Sequence, residues 1–197
     1  MSFGTSSGGM VPTVGFPFPA VASGSFTVVK TGVYEAHLVG GGSAGVNGST
    51  PGSGGAVILG RKLYKLGDVI SYIVGAAGLG VSSFDGGTTV FDQFAANGGF
   101  SDNGGQVTDL PAKGSMNIGF SGGSGSYMGA PTPNLAGEVK DPTKTGPSLA
   151  GGSSAYGKGG QTVGASATGY GAGGAKGTLT IPGGNGSQGC IYLFGPL

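Results

Sequence analysis

Strands that run straight into glycine constrain this chain more than any other feature. Val33–Gly45 reads VYEAHLVGGGSAG. Val33, Glu35 and His37 fall on one side of an extended backbone and Tyr34, Ala36 and Leu38 on the other. This alternation, rich in β-formers, predicts a strand. At Gly40-Gly41-Gly42 the side chains stop, and only backbone is left to pack. The same device returns where Val69–Val74 (VISYIV) ends in Gly75-Ala76-Ala77-Gly78, and where Thr88–Phe94 (TTVFDQF) gives way to Asn97-Gly98-Gly99.

Glycine and proline (49 and 11 residues) make up about 30% of the 197-residue chain, a fraction that taken alone suggests disorder. Two features oppose that. Leu, Ile, Val and Phe together supply about a fifth of the chain, where disordered sequences are poor in them. The formal net charge is only +1, so self-repulsion does not hold the chain open. No ten-residue window combines a 3.6-residue period with helix caps, so almost no α-helix is expected. The composition predicts an all-β fold, a small β-sandwich of short strands with a thin core and long glycine-rich segments. Those segments have two physical solutions, which stay open here. They are long loops, or they are threefold helices of polyproline-II geometry packed side by side. The runs are short and lack a strict three-residue repeat, so the second solution would be a partial array.

Along the chain, Ser25–Lys30 (SFTVVK), a Thr31-Gly32 turn and Val33–Val39 read as a hairpin with glycine at a positive φ. Ala56–Leu66 and Val69–Val74 read as a second pair around Gly67-Asp68. Gly177–Ile181 (GTLTI) and Cys190–Phe194 (CIYLF) read as the last strands. Residues 1–24 form a distinct arm, followed by a glycine-rich β domain over 25–197. Pro12, Pro17 and Pro19 suit that arm to an extended course rather than a central strand. Phe16 and Phe18 within it need something to dock on, either a partner or the rest of the fold. Between residues 100 and 176 periodicity is lost, and single aromatics such as Phe100, Phe120, Tyr127, Tyr156 and Tyr170 punctuate the text. An aromatic ring in such a segment either staples it to the body or faces a ligand.

Several function classes find no support. Nine basic and eight acidic residues are scattered, with no basic stripe for nucleic acid and no charge excess for an anionic membrane. No apolar run approaches the ~20 residues of a membrane helix. The one cysteine, Cys190, lies among Ile191, Leu193 and Phe194 and reads as a small buried hydrophobe, leaving no thiolate zinc site. Gly40-x-Gly42-x-x-Gly45 has the dinucleotide-binding spacing, but VNGSTPGSGG follows where that fold needs a helix. Gly119-Phe120-Ser121-Gly122-Gly123 matches a nucleophile elbow, but the only histidine, His37, lies upstream in a predicted strand. The acids sit mostly beside glycine or in turns (Asp68, Asp85, Asp102), and no hydrolytic carboxylate pair can be located. Asp102-Asn103-Gly104 is too short for a calcium loop. No catalytic residue, metal site or cofactor is expected. The first residues, MSFGTSSGGMVPTVG, lack the pattern of a secretory leader, so synthesis in a cytoplasm is expected.

The order SFTVV, GVYEAHLVGGGSAG, KLGDVISYIVGAAGLG, GGTTVF with AANGG, and a GCIYLF end resembles the glycine-rich domain of bacteriophage tail-fibre and related virion proteins. The resemblance covers about residues 25–99 and 171–194. In style, residues 100–176 are similar to the tip adhesins of T-even-type phages, although the glycine runs here are shorter. The aromatic-rich middle matches no family motif, so receptor identity does not carry over. The resemblance implies a non-enzymatic virion protein, a tail-fibre or tail-tip adhesin for a bacterial surface receptor, protein or glycan. Phe100, Phe120, Tyr127, Tyr156 and Tyr170 would face that receptor. The arm, through Phe16 and Phe18, would hold the chain to another tail, fibre or capsid protein, with homo-oligomerisation as a further support. Two rivals are a decoration or assembly protein without host contact and a polysaccharide-degrading tail protein. An ice-binding polyglycine protein would need flat repeats that the sequence lacks.

Overall fold

The structure is a computed structural model and describes residues 10–47, 51–80, 84–100, 118–120 and 151–197. Within them there is no helix, and the fold is all-β. The strands are β1 (Gly24–Thr27), β2 (Gly32–Val39), β3 (Val57–Tyr64), β4 (Val69–Ile73), β5 (Thr89–Phe91), β6 (Phe94–Ala96), β7 (Ile118–Phe120), β8 (Gly157–Lys158), β9 (Thr168–Gly169) and β10 (Cys190–Phe194). They form two four-stranded antiparallel sheets, ordered β10-β2-β3-β7 and β1-β4-β5-β6, plus the small β8-β9 ribbon.

The period-2 pattern decides what each sheet buries. Tyr34, Ala36 and Leu38 of β2, Ile58 and Tyr64 of β3, and Ile191 and Leu193 of β10 point into one hydrophobic cluster. The other sheet fills it with Phe26, Ile70, Tyr72, Phe91, Phe94 and Ala96. Gly60, opposite Ala36 in the β2–β3 register, is small for a reason: a Cβ there would lie 2.4 Å from the Phe94 ring. The missing side chain admits a ring from the facing sheet.

The pairing departs from the local reading in three places. β1 and β2 are not a hairpin: β1 pairs with β4, while β2 pairs with β3 and β10 in the other sheet. Gly32 has no positive φ and instead gives room to Pro196, whose Cβ would be 2.4 Å from a Cβ at Gly32. β3 and β4 likewise belong to different sheets, although Gly67 does take the left-handed conformation (φ 88°) in the turn between them. Thr88–Phe94 is not one strand. The chain folds back at Asp92 (φ 54°) so that β5 and β6 pair, Phe91 opposite Phe94. Gly177–Ile181 is a turn rather than a strand, closed by Thr178 N–H donating to the Ile181 carbonyl at 2.8 Å.

Beyond the two sheets, the glycine segments pack on one another. The N–H groups of Gly40, Gly41 and Gly42 reach the carbonyls of Ala56, Gly87 and Ser187 at 2.9, 2.9 and 2.8 Å. Those of Ser43, Ala44 and Gly45 then return to the same three neighbours, at Ser53, Phe84 and Gly184. A partner that recurs every third residue is the signature of a threefold extended helix, which makes no internal hydrogen bonds; a strand repeats every second residue. The carbonyls of Gly41, Gly42 and Ser43 accept from Gly99, Gly78 and Gly174. The segment 40–45 is therefore surrounded by six others. Between the sequence's two solutions for glycine, the bonding pattern selects the packed array.

Glycine is needed here for close approach. A Cβ at Gly42 would sit 2.0 Å from the Ala172 carbonyl oxygen, and one at Gly45 1.9 Å from that of Ala175. Neither glycine has a positive φ. Where a small side chain is present it substitutes for a backbone partner: Thr89 Oγ1 accepts from Gly75 N–H at 2.9 Å and donates to the Val39 carbonyl at 2.6 Å. Ser187 Oγ accepts from Ala172 N–H at 2.8 Å. Buried backbone groups must be partnered, and these hydroxyls complete the pairing.

The described part of the N-terminal arm is built into the same body. Residues Pro12 and Ala20 bridge Phe194 and Ile191 along the edge of β10. Phe16 lies in the core, 5.5 Å from the Phe26 ring and 5.2 Å from that of Tyr72.

Candidate functional site

The densest polar chemistry lies on the outer face of the β10-β2-β3 sheet. Register places Glu35 beside Arg61 and Phe194, and His37 beside Leu59 and Tyr192. Above them the β8-β9 ribbon, closed by Tyr170 N–H donating to the Tyr156 carbonyl at 3.0 Å, brings Tyr156 onto the sheet. The Tyr156 ring stacks on Tyr192 with centroids 5.3 Å apart, and Phe18 meets Tyr192 and Phe194 edge-on at 5.1 and 5.4 Å.

Within this cover runs a continuous chain of hydrogen bonds. Arg61 Nε donates to Glu35 Oε2, Glu35 Oε1 lies 2.6 Å from His37 Nε2, and His37 Nδ1 lies 2.8 Å from the Tyr156 hydroxyl. An ionised carboxylate only accepts, so Nε2 carries a proton toward Glu35; in the neutral imidazole, Nδ1 then accepts from Tyr156. Glu35 and His37 are both buried. Burial alone would raise the Glu35 carboxyl, but the hydrogen bonds and charges of His37 and Arg61 outweigh it and hold it below the usual carboxylate range. Burial pushes the Tyr156 phenol up, with Cys190 and Glu35 adding to the effect. The Cys190 thiol is pushed up to about 12, also by burial.

A carboxylate–imidazole–hydroxyl order is one that can draw a proton from a nucleophile. Here the phenol is shifted away from ionisation and its ring is stacked against the sheet. The arrangement is a clasp that fastens the ribbon to β2. Tyr170 belongs to the same clasp, packed on Val39, Val57 and Cys190. Tyr156 and Tyr170 are therefore used as staples. Phe16 is consumed by the core, while Phe18 is half exposed on the clasp's rim. Phe100 is exposed, and its carbonyl accepts from Ser53 Oγ. Phe120 takes part in β7 through backbone pairing with Val57, and Tyr127 lies outside the described residues. Of the aromatics of the middle region, Tyr156 and Tyr170 meet on one cluster, that of Val39, Val57 and Cys190.

The far end of the glycine array presents a different set. Segments 40–45, 75–80 and 171–176 run away from the sheets, and 52–56, 84–87 and 183–189 return to them. Their turning points lie together: Asn47 Oδ1 accepts from Gly183 N–H at 2.7 Å, Asn185 Oδ1 from Gly80 N–H at 3.1 Å, and Val46 O from Gly177 N–H. At this end Leu79, Phe84 and Ile181 are exposed, and Leu179 is 94% exposed on the turn that Thr178 closes. GTLTI has the alternation of a strand, which hides this turn from a sequence reading.

No protein-family model and no curated protein matches this chain.

Proposed function

We propose that this chain is a non-enzymatic bacteriophage virion protein, a small adhesin that carries recognition loops on a glycine frame toward a bacterial surface receptor. The observation that carries the reading is the six-neighbour packing of residues 40–45, with turning points gathered at the end remote from the sheets. A backbone-bonded array holds loops in place without a large side-chain core, and preorganised loops bind at lower entropic cost. The resemblance in motif order to phage tail-fibre domains supports the same reading. Contact with the receptor falls to Leu79, Phe84, Leu179 and Ile181 at the far end, whereas Tyr156 and Tyr170 serve the frame.

The test is binding of the purified chain to whole host cells, with competition against adsorption of the phage. Saturable binding that blocks adsorption supports an adhesin. Absence of binding, with the chain present on virions, favours the decoration protein; shortened envelope polysaccharide after incubation favours the degrading enzyme.

A further inference from the structure

The end of the two-sheet body opposite the array carries aliphatic side chains that nothing among the described residues covers. Val33 and Leu63 are register partners on the outer face of the β10-β2-β3 sheet, and both are exposed, Leu63 at 59%. Leu197 joins them through its N–H, which donates to the Val33 carbonyl at 2.8 Å. The adjoining turns add Val29 and Leu66, the latter 68% exposed and tied to the first turn by its N–H donating to Thr31 Oγ1 at 2.9 Å. Five aliphatic groups thus sit on connected, hydrogen-bonded backbone. Isolated exposed hydrophobics are ordinary on soluble proteins, but a contiguous group marks an interaction surface.

The charges around the group indicate what it accepts. Arg61 and Lys62 are already paired with Glu35 and Asp92. Lys30 and Lys65, one on each turn, form no ion pair with any described residue. The acid among them, Asp68, uses its carboxylate to accept the Lys65 backbone N–H at 2.8 Å. That bond to a neutral amide leaves the Asp68 charge in place, so the surface is aliphatic with two unpaired lysines, one acid and a net positive charge. A second copy docking through the same patch would set one net positive surface against another, which disfavours self-association. The C-terminal residues and Val11, whose carbonyl accepts from Gly195 N–H, lie at this same end.

We infer that Val29, Val33, Leu63, Leu66 and Leu197 form the mounting surface of the chain, and that it seats on a protein presenting aliphatic side chains with carboxylates beside them. This rests on the reading of the chain as a component of a larger particle. It assigns attachment to the strand ends and turns of the body, with Phe16 buried inside that body.

The test uses virions grown with variant chains in place of the native one, the amount of chain per particle being measured by quantitative mass spectrometry. Leu63→Asp/Leu66→Asp is expected to lower that amount at least tenfold while the purified variant keeps the native thermal midpoint and native binding to host cells. Leu66→Asp alone, on an exposed turn, provides the same readout should the double variant unfold. Lys30→Glu/Lys65→Glu is expected to lower incorporation at least fivefold. Native incorporation of the leucine variants overturns the surface while leaving the adhesin reading intact. A lysine swap without effect overturns the acidic partner, and a solution dimer of the native chain broken by Leu63→Asp overturns it in favour of a second copy. If the native chain is itself absent from virions, the reading of the chain as a virion protein falls and this inference with it.

Discussion

At the scale of single residues, Glu35 is, among the described carboxyls, the one held below its ordinary range by its partners. Its folded carboxyl titrates below its unfolded value, so it contributes stability that is fully present above the unfolded pKa and is lost as pH falls through the folded one. The Glu35 contribution to the thermal midpoint should accordingly be constant above about pH 5 and decline below it, where an unfolded Glu begins to protonate. Glu35→Gln should flatten that decline and cost about 2 kcal/mol at neutral pH, since Arg61 and His37 lose a charged acceptor. Tyr156→Phe removes only the outer link of the clasp and should cost about 1 kcal/mol. Cys190, with its thiol pushed up to about 12 and no exposure, should resist alkylation at pH 8 in the native protein and react only on unfolding. Little of the clasp is legible locally. Glu35 and His37 show themselves as neighbours on one side of a strand, but Tyr156 is 119 residues from His37 and no local pattern announces it.

At the scale of elements, two predictions separate frame from tether. Gly42→Ala places a Cβ against the Ala172 backbone, which cannot swing aside as a side chain would, and should cost about 3 kcal/mol as overpacking. Ala76→Gly, in the exposed row of a neighbouring segment, should cost under about 1 kcal/mol, chiefly in backbone entropy. Chemical denaturation of both variants gives the comparison, and equal small losses would mean that the segments do not touch as described. The arm is the second element to test. Phe16→Ala should cost about 3–4 kcal/mol because the ring fills space between Phe26, Tyr72 and Phe91. The prolines of the arm are legible as backbone unsuited to a central strand, but the expected extended course is interrupted by turns at residues 14–16 and 18–19. Which of Phe16 and Phe18 turns inward is decided only by the bridges of Pro12 and Ala20 to β10.

At the scale of the whole molecule, the array and the two sheets are one hydrogen-bonded body, so amide exchange should protect Gly41, Ala44, Gly174 and Ser187 about as strongly as β2. Fast exchange there would remove the frame on which the adhesin reading stands. The sequence alone determined the all-β class, the positions of β2, β4 and β10, and the fact that side chains end where glycine begins. Those properties are local, since alternation and the loss of Cβ are written in consecutive residues. Which strands share a sheet, and whether glycine makes slack or frame, were decided by tertiary structure. A glycine without a side chain carries no mark of its neighbour. The third-residue rhythm of segment 40–45 exists in its partners (Ala56 and Ser53, Gly87 and Phe84, Ser187 and Gly184), which the chain brings together only when it is folded.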